Sequence, residues 1–202
     1  MRILLCNAAF IMTCTVSLGC TLVREALGTW TPTYLHEATR FSVASAAQWS
    51  ALFPLVGAAS VLVSGWASDR IGIHGRAVLL AMGLAGSAAA LTALAFLSTS
   101  STAGPWLAVL LIAIISFCLL GPYSSLAGAM ALDFGGAHAG AAASGLIDGV
   151  GYLGGVLAGA GIPELSAHFG WRGVYVALAA VCLASTLAAG SLCLRQMRQR
   201  HA

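Results

Sequence analysis

The sequence is poor in charge: it has six carboxylates and nine cationic side chains, 7% of its 202 residues, where an ordinary soluble domain carries roughly 25%. A soluble domain of this length needs polar residues to cover its outside, and too few are present, which excludes soluble enzymes and nucleic-acid-binding modules as classes. Lysine is missing altogether, so no G-x-x-x-x-G-K-[ST] nucleotide loop exists. All nine cations are arginines, scattered until the C-terminal tail, so the net charge of +3 forms no basic patch. Cysteine offers no framework either. Cys6, Cys14, Cys20, Cys118, Cys182 and Cys193 fall inside apolar stretches, without C-x-x-C or a Cys/His grouping at metal spacing. They read as small buried hydrophobes, and neither a metal nor a cofactor is expected. His36, His74, His138, His168 and His201 fall in expected loops or the tail and read as solvated.

What is abundant is apolar sequence, 59% of the chain. A helix needs about 20 apolar residues to cross the hydrocarbon core of a bilayer, and the charge-free runs can be counted against that length. They cover 3–23, 41–68, 77–132 (long enough for two helices, divided by the turn-rich stretch 98–105), 134–163 with Asp148 inside it, and 173–194. The expectation is an all-α integral membrane protein, one domain over 1–202, with six spans near 3–28, 44–67, 77–97, 105–130, 140–163 and 172–194. Six crossings place both termini on one side. Arg2, Arg70, Arg76, Arg195, Arg198 and Arg200 share that side while Arg40 and Arg172 take the other, so the positive-inside rule puts the termini in the cytoplasm of a cell (inner or plasma) membrane. Trp30, Tyr34, Trp106 and Trp171 fall at outer span ends, where amphipathic rings suit the headgroup level. Met1-Arg2 and the Ser17-Leu-Gly-Cys20 box faintly suggest a cleaved leader. The apolar run continues to Leu27, longer than a leader's, so the first span is expected to stay.

Between the second and third spans the chain reads Gly65-Trp-Ala-Ser-Asp69-Arg70-Ile-Gly72-Ile-His-Gly-Arg76. This resembles the cytoplasmic loop signature of the major facilitator superfamily. Gly65 permits close approach of two helices, and Asp69 at a helix end can pair with arginines such as Arg70 and Arg76 to latch two bundles in one state. Further residues carry the resemblance: Arg24 followed by Thr29-Trp30-Thr31-Pro32-Thr33-Tyr34-Leu35, Gly121-Pro122, the run 145–155 containing Gly151-Tyr152-Leu153-Gly154-Gly155, and Phe169-Gly170-Trp171. In this order they resemble the C-terminal half of an organophosphate:inorganic phosphate antiporter, of the glycerol-3-phosphate and sugar-phosphate type. The resemblance implies one six-helix half-bundle of the major facilitator fold, with the N-terminal half of the usual fold absent. Its partner is then either a second copy in a homodimer or a separate N-terminal six-helix half. Bundles related by an axis along the membrane normal allow both.

Arg24 is the leading binding residue, because an arginine inside an apolar span usually faces a cavity or a partner. The resemblance implies that it binds the substrate phosphate, whose paired oxygens suit a guanidinium fork. The alternative is snorkelling toward the headgroups near Trp30. Glu25 is not expected to neutralise Arg24 easily, since adjacent helix positions point to different faces. Asp148 lies inside the fifth span, about 10 to 15 Å from Arg24 in depth, too far for a direct ion pair. It bonds substrate hydroxyls, carries a coupled proton, or serves a helix kink or a structural pair with a polar neighbour. Gly151, Gly155 and Gly159, with Gly145 and Gly149 before them, form a bare stripe for close helix packing that places Tyr152. The resemblance gives Tyr152 a cavity-lining role; ordinary packing is its alternative. Where those antiporters carry further cavity tyrosines this chain has Thr21 and Leu120, which leaves the identity of the anion open.

The expected function is secondary active transport of a small organic anion, a phosphate ester or phosphate, by alternating access in the lipid bilayer, with no covalent chemistry and no nucleic-acid partner. A non-transporting membrane subunit, a truncated remnant and a transporter of another organic anion are the alternatives. A six-span serine protease of the rhomboid type needs Gly-x-Ser-Gly and a histidine on a later helix. Here Ala142-Ala143 precede Ser144-Gly145 and the last span has no histidine, so no enzyme is expected.

Overall fold

The computed structural model describes residues 7–99 and 101–198. Arg2, Cys6, Arg200 and His201 lie outside the described residues, as do the side chains of His74, His138, Arg195 and Arg198. Among the described residues the regular elements are all helical. They are α1 (Ala8–Ala38), α2 (Val43–Ser50), α3 (Leu52–Ile71), α4 (Ile73–Ala95), α5 (Gly104–Ser125), a π-helical turn (Leu126–Met130) and α6 (Ala131–Arg198).

α1 starts at Asn7, whose side chain accepts from the Ala9 amide at 2.9 Å, filling one of the orphan donors of a helix start. It continues through Pro32 to Ala38 instead of stopping near residue 28. Packing explains the extension: Thr31, Tyr34 and Leu35 are buried, and the Tyr34 ring meets Trp171 and Tyr175 edge-on at 5.5 and 4.8 Å. That burial outweighs the backbone hydrogen bond which an interior proline removes. At the same end Trp171 donates to Glu37 at 2.8 Å, and Trp106 packs edge-on against Phe41 and Trp49. The aromatic residues expected at one membrane face therefore gather at one end of the bundle.

Three glycines with positive φ mark the sharp reversals. Gly72 (φ 74) closes α3 and opens α4, its amide bonding back to the Ser68 carbonyl at 2.9 Å. Gly136 (φ 55) and Gly170 (φ 64) interrupt α6. Such left-handed backbone is costly for any residue with a Cβ.

Among the described residues, five helices are long and apolar enough to cross a membrane: Ala8–Ala38, Val43–Ile71, Gly75–Ala95, Gly104–Gly136 and Ala139–Cys193. The number falls short of the six expected because the runs 140–163 and 172–194 are joined in one 55-residue helical stretch. Laid straight, that stretch would measure about 83 Å. It is not straight. A Cβ on Gly151 would meet Ser17 and Thr21, one on Gly154 would meet Leu18 and Leu22, and one on Gly19 would meet Ser185. Both arms of α6 thus reach the same segment of α1, and the reversal lies at Gly170.

Between apolar helices in lipid the hydrophobic effect drives little, and close packing of small residues does most of the holding. α1 packs chiefly on α6, α3 on α5, and α4 on both α5 and α6. The α3–α5 seam illustrates the chemistry: Leu120 seats on Gly57, Ser116 donates to the Phe53 carbonyl, and Ser60 donates to the Phe117 carbonyl. The rest of α3 faces outward, with Leu55, Leu62, Val63 and Trp66 all exposed.

Candidate anion site

Arg24 stands mid-helix in α1, about 21 Å along the axis from Ala38 at 1.5 Å per residue. Its side chain is 28% exposed, and its guanidinium lies over the ring of Tyr123 from α5, 5.4 Å from the centroid. It is held sideways against a neighbouring helix, which is not the posture of an arginine snorkelling along its own helix toward Trp30. Thr21, one turn earlier on the same face, shares a hydrogen bond with the Tyr123 hydroxyl at 3.1 Å.

Glu25 does pair with Arg24, its Oε1 accepting from Nη2, contrary to the expectation from adjacent helix positions. The Cα–Cβ directions do diverge, but both side chains are long enough to bend toward each other across the surface. Glu25 leaves the guanidinium incompletely satisfied: Arg24 Nε is buried and, among the described residues, has no hydrogen-bond partner. A buried N–H on a cation, beside a half-open Nη edge, suits an acceptor with more than one oxygen.

The glycine stripe packs in a different register from the expected one. Gly151 seats Ser17 Oγ and Thr21 Oγ1, 2.7 and 2.9 Å from where a Cβ would stand, Gly154 seats the backbone of Leu18 and Leu22, and Gly155 lies 3.2 Å from Glu25 Cγ by the same measure. A Cβ on Gly145, Gly149 or Gly159 would meet nothing within 4 Å. The polar row Ser17, Thr21, Glu25 of α1, spaced every four residues, is thus laid along Gly151 and Gly155.

Asp148 is half-buried and makes no ion pair among the described residues, as its depth suggested. It lies within electrostatic reach of the Tyr123 hydroxyl, as does Arg24. Tyr152 is 61% exposed and takes no part in the Arg24 cluster. Leu120 packs on Gly57 of α3. The structure therefore brings together Arg24, Glu25, Thr21 and Tyr123, with Asp148 near, and leaves Tyr152 on an open face. Tyr123 was the missed member. Its signal was the polar ring directly after Gly121-Pro122, in an otherwise apolar span.

At the end of the bundle holding Gly72, Arg76 from α4 binds Asp133 of α6, with Nη1 at 3.0 and 2.8 Å from the two carboxylate oxygens, and donates from Nε to Ser68 of α3 at 3.0 Å. Asp69 forms no ion pair among the described residues; it lines a cavity of about 170 Å³ with Ser64, Ser68, Arg76, Ser124 and Ser125. The Arg70 guanidinium lies 4.1 Å from the Trp66 ring centroid. A Cβ on Gly65 would meet nothing within 4 Å, so among the described residues no helix uses the close approach it permits. The carboxylate that pairs with Arg76 is thus Asp133 and not Asp69, and at 57 residues from Arg76 no local sequence pattern points to it.

The family model described as Major Facilitator Superfamily matches residues 13–201. Among similar proteins, a probable hexose phosphate transport protein of Chlamydia muridarum is 30% identical over 169 residues, covering 82% of this chain and 36% of that protein. A glycerol-3-phosphate transporter of Bacillus subtilis is 30% identical over 163 residues, covering 80% of this chain and 36% of its own length. The chain spans about a third of the length of the curated relatives it matches. With almost its whole length under one family model, the chain belongs to the major facilitator superfamily.

Proposed function

We propose that this multi-pass membrane protein supplies one six-helix half of a secondary transporter that carries a small organic anion, a phosphate ester or inorganic phosphate, by alternating access. The observation that carries the reading is Arg24: a mid-membrane guanidinium with a buried unpartnered Nε, one open edge, and a tyrosine and a threonine hydroxyl beside it. Such an arrangement binds an oxyanion by charge and by fork geometry together. The two relatives are named as a probable hexose phosphate transport protein and a glycerol-3-phosphate transporter, which favours a phosphate group as the recognised part. Asp148 then lies near enough to meet the organic part of the substrate, and Tyr152 stands where a second bundle closes over the site.

Six crossings are part of this reading, with the single domain covering 1–202. The reversal at Gly170 supports the sixth, because each arm of α6 is then long enough to cross about 30 Å of hydrocarbon alone. The positive-inside rule places the Arg70 and Arg76 end in the cytoplasm of a cell membrane, together with both termini. Gly65, Asp69, Arg70 and Arg76 form the gating loop, with Arg76 clamped by Asp133 in the state seen here. The exposed faces of α3 and of α6 around Tyr152 and Val156 are the surfaces for the other half, whether a second copy or a separate six-helix bundle. No covalent step is needed: binding, reorientation and release suffice.

The test is exchange of labelled inorganic phosphate in liposomes containing this chain alone, set beside its Arg24→Ala variant. Exchange that depends on Arg24 supports both the anion site and self-assembly. A folded chain that does not exchange points to the second reading, a membrane subunit that requires another bundle, which the open Tyr152 face favours.

A further inference from the structure

The pair Arg24–Glu25 occupies the donor that an incoming anion needs. We propose that Glu25 makes anion binding proton-linked: it is ionised and paired with Arg24 when the site is empty, and protonated when an anion holds Arg24. The inference rests on the reading of Arg24 as the anion-binding residue and adds the coupling group to it.

The geometry leaves Glu25 few other courses. Its Oε1 accepts from Arg24 Nη2, so a phosphate taking that nitrogen must displace a carboxylate or share the donor with one. Two anions on one guanidinium edge repel each other. Retreat toward α6 is limited by the backbone at Gly155, where the Glu25 stem lies 3.2 Å from the position of a Cβ. Protonation resolves the conflict: the carboxylate takes one proton from water, loses its charge, and turns from a competing acceptor into a donor whose O–H bonds to a phosphate oxygen. The side chain is 37% exposed, so it is not sealed inside this bundle.

Among the described residues, the other titratable or charged groups of this cluster are Cys20 from α1, Tyr123 from α5 and Asp148 from α6; Cys20 is fully buried. Tyr123 already shares its hydroxyl with Thr21. Asp148 makes no ion pair among the described residues, so an anion arriving at Arg24 takes no partner from it. Tyr152 faces outward. Glu25 alone loses its counter-ion when the anion binds. The direction of the linkage follows: binding raises the proton affinity of Glu25, so apparent anion affinity is highest at low pH and falls as pH rises, until Glu25 stays ionised even in the loaded site.

The experiment counts protons. Inorganic phosphate is titrated calorimetrically into the purified full chain in buffers of different ionisation enthalpy, across a range of pH, for the wild type, Glu25→Gln and Asp148→Asn. Sulfate, which stays a dianion across this range, is titrated in parallel, so that a proton taken up by the anion itself is separated from one taken up by Glu25. The wild type and Asp148→Asn are expected to take up about one proton more per phosphate, at the maximum, than Glu25→Gln. Equal uptake by the wild type and Glu25→Gln overturns the proton role and leaves Arg24's role standing. Phosphate binding by none of the chains overturns the Arg24 reading and this inference together. If Glu25→Gln does not fold, Glu25→Ala gives the same comparison.

Discussion

The hydroxyls of Thr21 and Tyr123 meet at 3.1 Å across the α1–α5 contact, and this bond holds the ring over which Arg24 lies. Thr21 and Tyr123 therefore form a small support that fixes where the guanidinium stands, before any anion arrives. Tyr123→Phe keeps the ring and removes the bond. A net hydrogen bond contributes about 0.5–1.5 kcal/mol, so anion affinity is expected to fall by up to about tenfold, with a larger loss in Tyr123→Ala, where the cation–π contact of about 0.5–2 kcal/mol goes too. Phosphate titration of the two variants checks the order. A Phe variant as weak as the Ala variant would remove the separate contribution of the ring.

Arg24→Lys keeps the charge in the membrane but replaces a planar fork by a point charge on a rotating stem. The unpartnered Nε and the Nη2 that Glu25 holds lie in one plane, and one ammonium cannot reproduce both donors. Charge-assisted bonds contribute about 1.5–3 kcal/mol each, so exchange is expected to drop by about tenfold or more while the amount of inserted protein stays the same. Exchange at near wild-type rates in this variant would show that charge alone suffices and that the fork has no role.

Much of this arrangement was legible before any coordinates. Arg24 stood out because a cation in an apolar run is costly, and the outer aromatic residues announced a common end. What sequence did not reveal has one physical cause, that register between helices is a tertiary fact. The fourfold spacing of Gly151, Gly155 and Gly159 suggested one face, yet α1 crosses α6 over Gly151, Gly154 and Gly155, and Gly159 is left open. Tyr123 and Asp133 act through partners 102 and 57 residues away, and no local pattern encodes such separations. Glu25 was misjudged for a different reason: Cα–Cβ directions were weighed, and the reach of two long flexible side chains was not.

Arg76 gives a sharp contrast between two carboxylates. Asp133 accepts on both oxygens from it, with side chains only 16% and 24% exposed, whereas Asp69 forms no ion pair among the described residues. Removing the partner of a largely buried cation costs about 1–3 kcal/mol, while a change at a site without such a partner usually stays within about 0.5 kcal/mol. Asp133→Asn is therefore expected to lower the unfolding midpoint in detergent clearly, and Asp69→Asn hardly at all. Adding Arg76→Gln to Asp133→Asn should cost little more than either change alone, because the pair acts as one unit. A larger loss from Asp69→Asn would mean that the latch uses the signature aspartate after all.

The glycines of α6 divide by what stands opposite them, and alanine substitutions read that division directly. At Gly154 a new methyl group would collide with the Leu18 carbonyl oxygen and lie 3.0 Å from the Leu22 amide nitrogen. Both are backbone atoms that no rotamer change can move, so the helices must part. Overpacking of this kind costs about 1–3 kcal/mol, and Gly154→Ala is expected to lower the unfolding midpoint accordingly. At Gly155 the obstacle is the flexible stem of Glu25 at 3.2 Å, so Gly155→Ala should cost little stability and instead disturb the Arg24–Glu25 pair, seen as altered phosphate affinity. At Gly159 nothing lies within 4 Å, and alanine, which favours helix over glycine by up to about 1 kcal/mol, should leave stability unchanged or raise it. The same three variants also probe assembly, because a second bundle that packs against Gly159 would make Gly159→Ala destabilising only in the assembled transporter. Measuring the chain alone and then together with its partner half would separate the two contributions.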